Sequence, residues 1–161
     1  MAKTRLLIKN ACYHIYARGN QKQKIFSNSD DFKFYLYQLR RYKRKFSFLL
    51  YGYCLMPNHI HLIGKPIVPE NLSKFMQCLQ RSYTAYYNNK YEKTGHLWQG
   101  RFKMKVIAED NYLIDCIAYI EENPVRANLA ITPKEYEFSS YRERNLKDTD
   151  FNILDEILLY E

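Results

Sequence analysis

The chain has 161 residues, 47% of them hydrophobic and 16% aromatic, with only five Gly and five Pro. That size and composition point to one domain with a sizeable core and exclude disorder or a collagen-like repeat. Lysine and arginine number 25 against 17 acidic residues, a formal charge of +8, which favours a polyanionic partner over a small neutral ligand. Asp148, Asp150, Asp155, Glu156 and Glu161 all follow the last basic residue, Lys147; residues 1–147 therefore carry 25 basic against 12 acidic side chains, +13, and residues 148–161 form an acidic tail.

Taken in chain order, the periodicities alternate between two and 3.6. Residues 11–18 (ACYHIYAR) read as a first strand, broken by Gly19 and Asn20. Asn28, Ser29, Asp30 and Asp31 offer cap and first-turn residues ahead of Phe32, Tyr35, Leu36, Leu39 and Tyr42, giving a helix over about 30–45. Phe46 to Leu55 reads as a buried strand, and Pro57 and Asn58 turn it into a second one, His59 to Ile63. Leu72, Phe75, Met76, Leu79, Tyr83 and Tyr86 lie on one face of a long helix over about 70–90, and Arg101 to Ile107 alternates as a strand. Another helix begins near Asp110, and the chain ends in an amphipathic segment with Phe151, Leu154, Ile157 and Leu158 on one side. The order predicts an α+β, ferredoxin-like β-α-β-β-α-β core: an antiparallel sheet with helices on one face and extra C-terminal helices.

Cys12, Cys54, Cys78 and Cys116 form no Cys-x-x-Cys pair, which speaks against a zinc ribbon or redox motif and fits a reduced, intracellular protein. The apolar stretch Phe48 to Met56, interrupted by Gly52, is far short of the roughly 20 residues that span a bilayer. MAKTRLLIKN lacks a long apolar region or cleavage site, so a cytoplasmic protein with no membrane contact is expected.

The most informative words are His59 and His61 within LMPNHIHLI. Side chains alternate across a strand, so the two imidazoles share a face about 6 to 7 Å apart and are able to bind one metal ion. They form a two-ligand site that needs a further oxygen or amide donor. On the helix from Asp110, Tyr119 and Asn123 are four residues apart and share a face beside the apolar stripe of Leu113, Cys116, Ile117 and Ile120. Asn123 alternatively caps a new helix with Pro124 at its first position, and Glu122 is then the fallback donor.

These residues lie in strings that identify a family. YGYCLMPNHIHLI, GHLWQGRFK and YLIDCIAYIEENPVRANL, with the opening HIYARGNQKQKIF, resemble the REP-associated tyrosine transposases, a branch of the HUH single-strand DNA transposases, from about residue 12 to the FSSY segment near 141. The resemblance implies that His59 and His61 bind a divalent cation, Mg²⁺ or Mn²⁺, that Tyr119 is the catalytic tyrosine, and that Asn123 stands at the third metal position, where insertion-sequence relatives commonly have Gln. It further implies single-stranded or hairpin DNA as substrate and a 5′-phosphotyrosine intermediate with release of a 3′ hydroxyl. The expected protein is a monomer or homodimer in a prokaryotic cytoplasm, associated with the nucleoid.

For binding, Arg101, Lys103 and Lys105 alternate with Phe102, Met104 and Val106, a plausible phosphate-contacting ridge. Arg40 and Arg44, with Arg41, Lys43 and Lys45, form a second basic cluster near a helix end. Tyr83, Tyr86 and Tyr87 read as core or groove aromatics, Trp98 as a core candidate, and His14 and His96 as structural histidines. The acidic tail is expected to fold back over basic surface and compete with DNA. Two other readings stand beside the transposase: a nucleic-acid-binding module whose histidines serve structure only, and a relaxase or replication initiator of the same HUH chemistry.

Overall fold

A computed structural model describes residues 7–108 and 110–158; the first residues of MAKTRLLIKN and Glu161 of the acidic tail lie outside the described residues. Four strands, β1 (Cys12–Arg18), β2 (Phe48–Met56), β3 (His59–Pro66) and β4 (Lys103–Ile107), form one antiparallel sheet in the order β2-β3-β1-β4. Helices α1 (Ser29–Lys45) and α2 (Asn71–Lys90) connect them in the ferredoxin-like manner. After β4 come α3 (Asp110–Glu121), α4 (Asn123–Arg126) and α5 (Tyr141–Asn145).

The pleat sorts the side chains into two cores. Tyr13, Ile15 and Ala17 of β1 and Ile60 and Leu62 of β3 face α1 and α2, where they meet Phe32, Leu36, Phe75 and Leu79. The alternate residues, Cys12, Ile63, Cys54, Met56 and Ile107, face the other way and are covered by Leu113, Ile117 and Ile120 of α3. The sheet therefore has helices on both faces: α1 and α2 on the expected face and α3 on the opposite one. Gly52, at the register shift in β2, allows α3 to approach, since a Cβ there would meet Ile117 at 3.3 Å.

Capping starts α1 as its sequence suggests: Asn28 Oδ1 accepts from the Asp31 amide at 3.2 Å. The Asp31 carboxylate is fully buried and accepts from Lys90 Nζ (2.7 Å), Tyr86 OH (2.9 Å), Tyr91 OH (2.6 Å) and the Ser27 amide (2.9 Å). Burial pushes its pKa up, but those donors outweigh it and hold the carboxyl below its ordinary range. The stability it confers is present above the unfolded-state value near 4 and is lost as pH falls through the depressed folded value. Asp31→Ala should cost about 3 kcal/mol in urea unfolding and flatten the acid limb of the stability profile below about pH 4.

The exposed edge of β2 is covered by the chain's later segments. The Leu55 amide donates to Phe138 O (2.9 Å), Ser140 N to Tyr53 O (2.9 Å), and Asp155 N to Leu50 O (2.8 Å). The amphipathic tail is not helical; residues 151–158 run irregularly, with Ile153 in the core and the Asp155 carboxylate paired with buried Lys43 of α1.

Candidate active site

Alternation along β3 puts His59 and His61 on the α3 side of the sheet, with their ring centroids 5.0 Å apart and nearly perpendicular. β1 lies next to β3 with Tyr16 opposite His61 and Arg18 opposite His59. The Tyr16 ring stands 5.6 Å from His59 and 5.2 Å from His61. One strand further out, Lys105 is opposite His14 and Lys103 opposite Tyr16, both lysines exposed, so a basic margin borders the histidine row.

Hydrogen bonds orient both imidazoles. Asn58 donates its amide nitrogen to Lys22 O (3.3 Å), which leaves Asn58 Oδ1 to accept from His59 Nδ1 at 2.6 Å. His59 Nε2 is then the nitrogen with a free lone pair. His61 Nδ1 lies 2.8 Å from His14 Nε2. Burial pushes the His61 pKa down to about 3, helped by His14, His59 and Arg126; burial and Arg18 lower His59, and burial and Lys105 lower His14. Three neutral imidazoles result, the protonation state a cation needs.

On the facing helix, Tyr119 is 57% exposed. The Arg126 guanidinium lies 4.0 Å over its ring and donates to the Tyr119 carbonyl, to Asn123 Oδ1 (2.7 Å) and to Glu122 Oε2 (3.4 Å). Helix α3 stops at Glu121, so Tyr119 and Asn123 are held together by Arg126 rather than by continuous helical spacing. Asn123 starts α4 with Pro124 in its first turn, but its side chain does not cap that helix. The end of α3 is anchored: buried Glu121 accepts from Ser140 Oγ (2.5 Å) and Arg144 Nε (3.3 Å), and Ser140 Oγ accepts from the Tyr53 amide (3.0 Å).

Arg126 links the two groups: it lies over the Tyr119 ring and donates to Asn123, and its charge helps lower the pKa of His61. The Tyr119 hydroxyl has no hydrogen-bond partner among the described residues, and no three His, Cys, Asp or Glu side chains among them are placed to hold one metal ion. Arg101 sits on a bend before β4 and lines a cavity on the α2 side, apart from Lys103 and Lys105. Arg40 and Arg44 lie elsewhere: α1 is on the opposite face and delivers the chain to Phe48, which pairs with Pro66 at the far end of β3 from His59. His14, read as structural, does make a structural hydrogen bond, but to a histidine of the site. Sequence alone gives no signal for Arg126 at this site, whereas the period-two run His14, Tyr16, Arg18 places Tyr16 and Arg18 on one face of β1.

A family model described as "Transposase IS200 like" matches residues 7–123. The chain belongs to the IS200-like transposase family. A Haemophilus influenzae protein carrying the name of a REP-associated tyrosine transposase is 30% identical over 101 residues, covering 55% of this chain and 56% of that protein. The chain thus spans about half the length of this curated relative. A solved REP-associated tyrosine transposase bound to a REP hairpin superposes with a TM-score of 0.76 over 99% of both chains at 18% identity. The tRNA(His) guanylyltransferase of Saccharomyces cerevisiae superposes at 0.57 over 94% of this chain and 77% of its own, at 11% identity. Both structural likenesses concern the fold. For this family member, no helix among the described residues is long and apolar enough to cross a membrane.

Proposed function

We propose that this IS200-like transposase cleaves and rejoins single-stranded, hairpin-bearing DNA through a 5′-phosphotyrosine on Tyr119, with a divalent cation held by His59 and His61 and completed by Asn123. The observation that carries the reading is the pair of imidazoles kept neutral on β3 together with Arg126, which pins the exposed Tyr119 ring and the Asn123 amide and whose charge reaches His61. The solved relative's hairpin supports the choice of substrate.

The donor set fits a cation. His59 presents Nε2, and His61 does so when its Nδ1 donates to His14 Nε2. Two imidazole nitrogens and an amide oxygen, with phosphate oxygens filling the sphere, suit Mn²⁺ or Mg²⁺. Bound there, the cation would neutralise phosphate charge and polarise phosphorus. The Tyr119 oxygen attacks phosphorus and the P–O3′ bond breaks. The phenolic proton leaves the nucleophile and the departing 3′ oxygen ends as a hydroxyl, so the bond energy is kept in the phosphotyrosine for rejoining. Arg126 holds the phenol ring and contributes positive charge where phosphate charge gathers. Lys103, Lys105 and Arg18 border the histidines and take neighbouring phosphates.

The protein is expected to act in the cytoplasm at the nucleoid. A non-catalytic hairpin-binding module is the competing reading. Incubation with a hairpin oligonucleotide carrying single-stranded flanks and Mn²⁺ or Mg²⁺ separates the two: a denaturation-resistant protein–DNA adduct that disappears with chelator is expected. Hairpin binding with no adduct under any divalent cation would leave the module.

A further inference from the structure

We propose that Glu121 is a positioning residue for the strand-cleavage step: its buried carboxylate locks the end of α3 to β2 and so fixes where Tyr119 and Asn123 stand. The inference rests on the Tyr119 reading above and deepens it, since Glu121 acts through its neighbours and not on the reacting atoms.

Glu121 is the last residue of α3, two after Tyr119 and two before Asn123. Two residues of an α-helix turn the side chain through about 200°, so Tyr119 and Glu121 point in nearly opposite directions. Their surroundings agree: Tyr119 stands in solvent, whereas Glu121 is 4% exposed. A turn or slide of the helix end that moves one moves the other, and holding Glu121 therefore holds the phenol.

The rest of the buried face of α3, Leu113, Ile117 and Ile120, is apolar. Apolar packing is non-directional and leaves a helix end room to turn or slide. A buried carboxylate, by contrast, is costly unless its donors are correctly placed. Glu121 Oε1 accepts from Ser140 Oγ (2.5 Å) and from Arg144 Nε (3.3 Å). Both donors are themselves fixed to β2. Ser140 N donates to Tyr53 O (2.9 Å), the Tyr53 amide donates to Ser140 Oγ (3.0 Å), and a second nitrogen of Arg144 donates to Tyr51 O. Gly52, between those two tyrosines, lets the parts meet, because a Cβ there would lie 3.3 Å from Ile117 and 3.5 Å from Ser140 Oγ. Glu121 thus ties Tyr119 to the centre of β2. The same contact gives a task to the FSSY segment, whose second serine is Ser140.

The test compares Glu121→Leu, which extends the apolar face but accepts no hydrogen bond, with Glu121→Gln, which keeps an oxygen where Ser140 and Arg144 donate. The full chain, shown to be folded at the assay temperature by circular dichroism, is given a flanked hairpin and Mn²⁺. Adduct formation is followed in a single turnover, beside hairpin affinity and backbone hydrogen exchange. Glu121→Leu should slow adduct formation about 100-fold, the effect of misplacing a reacting group by about 1 Å, while hairpin Kd stays within about twofold. Exchange should quicken at residues 119–123 and stay unchanged in β1 and β3. Glu121→Gln should recover most of the rate. Should Glu121→Leu fail to fold, Ser140→Ala decides in its place: it removes the shorter hydrogen bond, leaves the carboxylate with Arg144, and should slow adduct formation about tenfold. An unchanged rate in the deciding variant, equal losses in Glu121→Leu and Glu121→Gln, or a loss of hairpin affinity as large as the loss of rate would overturn the positioning role and leave Tyr119 as nucleophile. No adduct from the unaltered chain would instead overturn the Tyr119 reading, and the role of Glu121 with it.

Discussion

Tyr119→Phe should abolish the covalent adduct, lowering its formation by more than about a thousandfold, while hairpin affinity stays within about twofold. The size follows from the chemistry: without the phenolic oxygen no bond to phosphorus forms. The selectivity follows from the surroundings. The Tyr119 side chain is exposed and its hydroxyl makes no hydrogen bond among the described residues, and phenylalanine keeps the aromatic face on which Arg126 rests at 4.0 Å. Tyr16 is the alternative nucleophile that the geometry offers, since its ring lies beside both histidines. It is half-buried on a central strand between β3 and β4, however, whereas Tyr119 stands on a surface helix with its oxygen open to an incoming phosphate. A full adduct yield in Tyr119→Phe would transfer the role to Tyr16.

His61→Ala should reduce cleavage by about 10²- to 10³-fold and abolish its response to Mn²⁺. The side chain is nearly buried and joins His14 to His59, so thermal stability needs measuring alongside. His14→Ala supplies the finer comparison. It removes the hydrogen bond that sets the His61 tautomer and leaves all three proposed ligands in place, so divalent-cation affinity should fall about 10- to 100-fold and cleavage should recover at high Mn²⁺. Recovery is not expected for His61→Ala. Identical behaviour of the two variants, with no cation rescue of either, would make the histidines a structural cluster.

Much of the fold was legible from one chain because its signals are local. Asn28 and the acids after it marked the start of α1, and the alternation through His59, Ile60 and His61 placed the imidazoles on one face. What escaped was set by distant pairing. Nothing in ACYHIYAR states that His14 will lie 2.8 Å from His61, because that depends on the register between β1 and β3. Likewise α3 reads as amphipathic, but which sheet face it covers is decided by Gly52 and the apolar residues Cys54, Met56 and Ile63. Choosing Tyr119 among 16 tyrosines rested on family likeness, and Arg126 gained meaning only from its place over that ring. Charge runs were the weakest guide: Lys43 is buried against Asp155, and Arg40 and Arg44 share its helix, far from the histidines.

The proposal that Tyr119 bonds to DNA is tested most directly by locating the linkage. The adduct formed with a flanked hairpin and Mn²⁺ is digested with trypsin and nuclease, and the modified peptide is fragmented in a mass spectrometer. The nucleotide mass should fall on Tyr119 within the peptide from Val106 to Arg126, which also contains Tyr112 as an internal control. A nucleotide on Tyr16, on Tyr112 or on any other residue would contradict it.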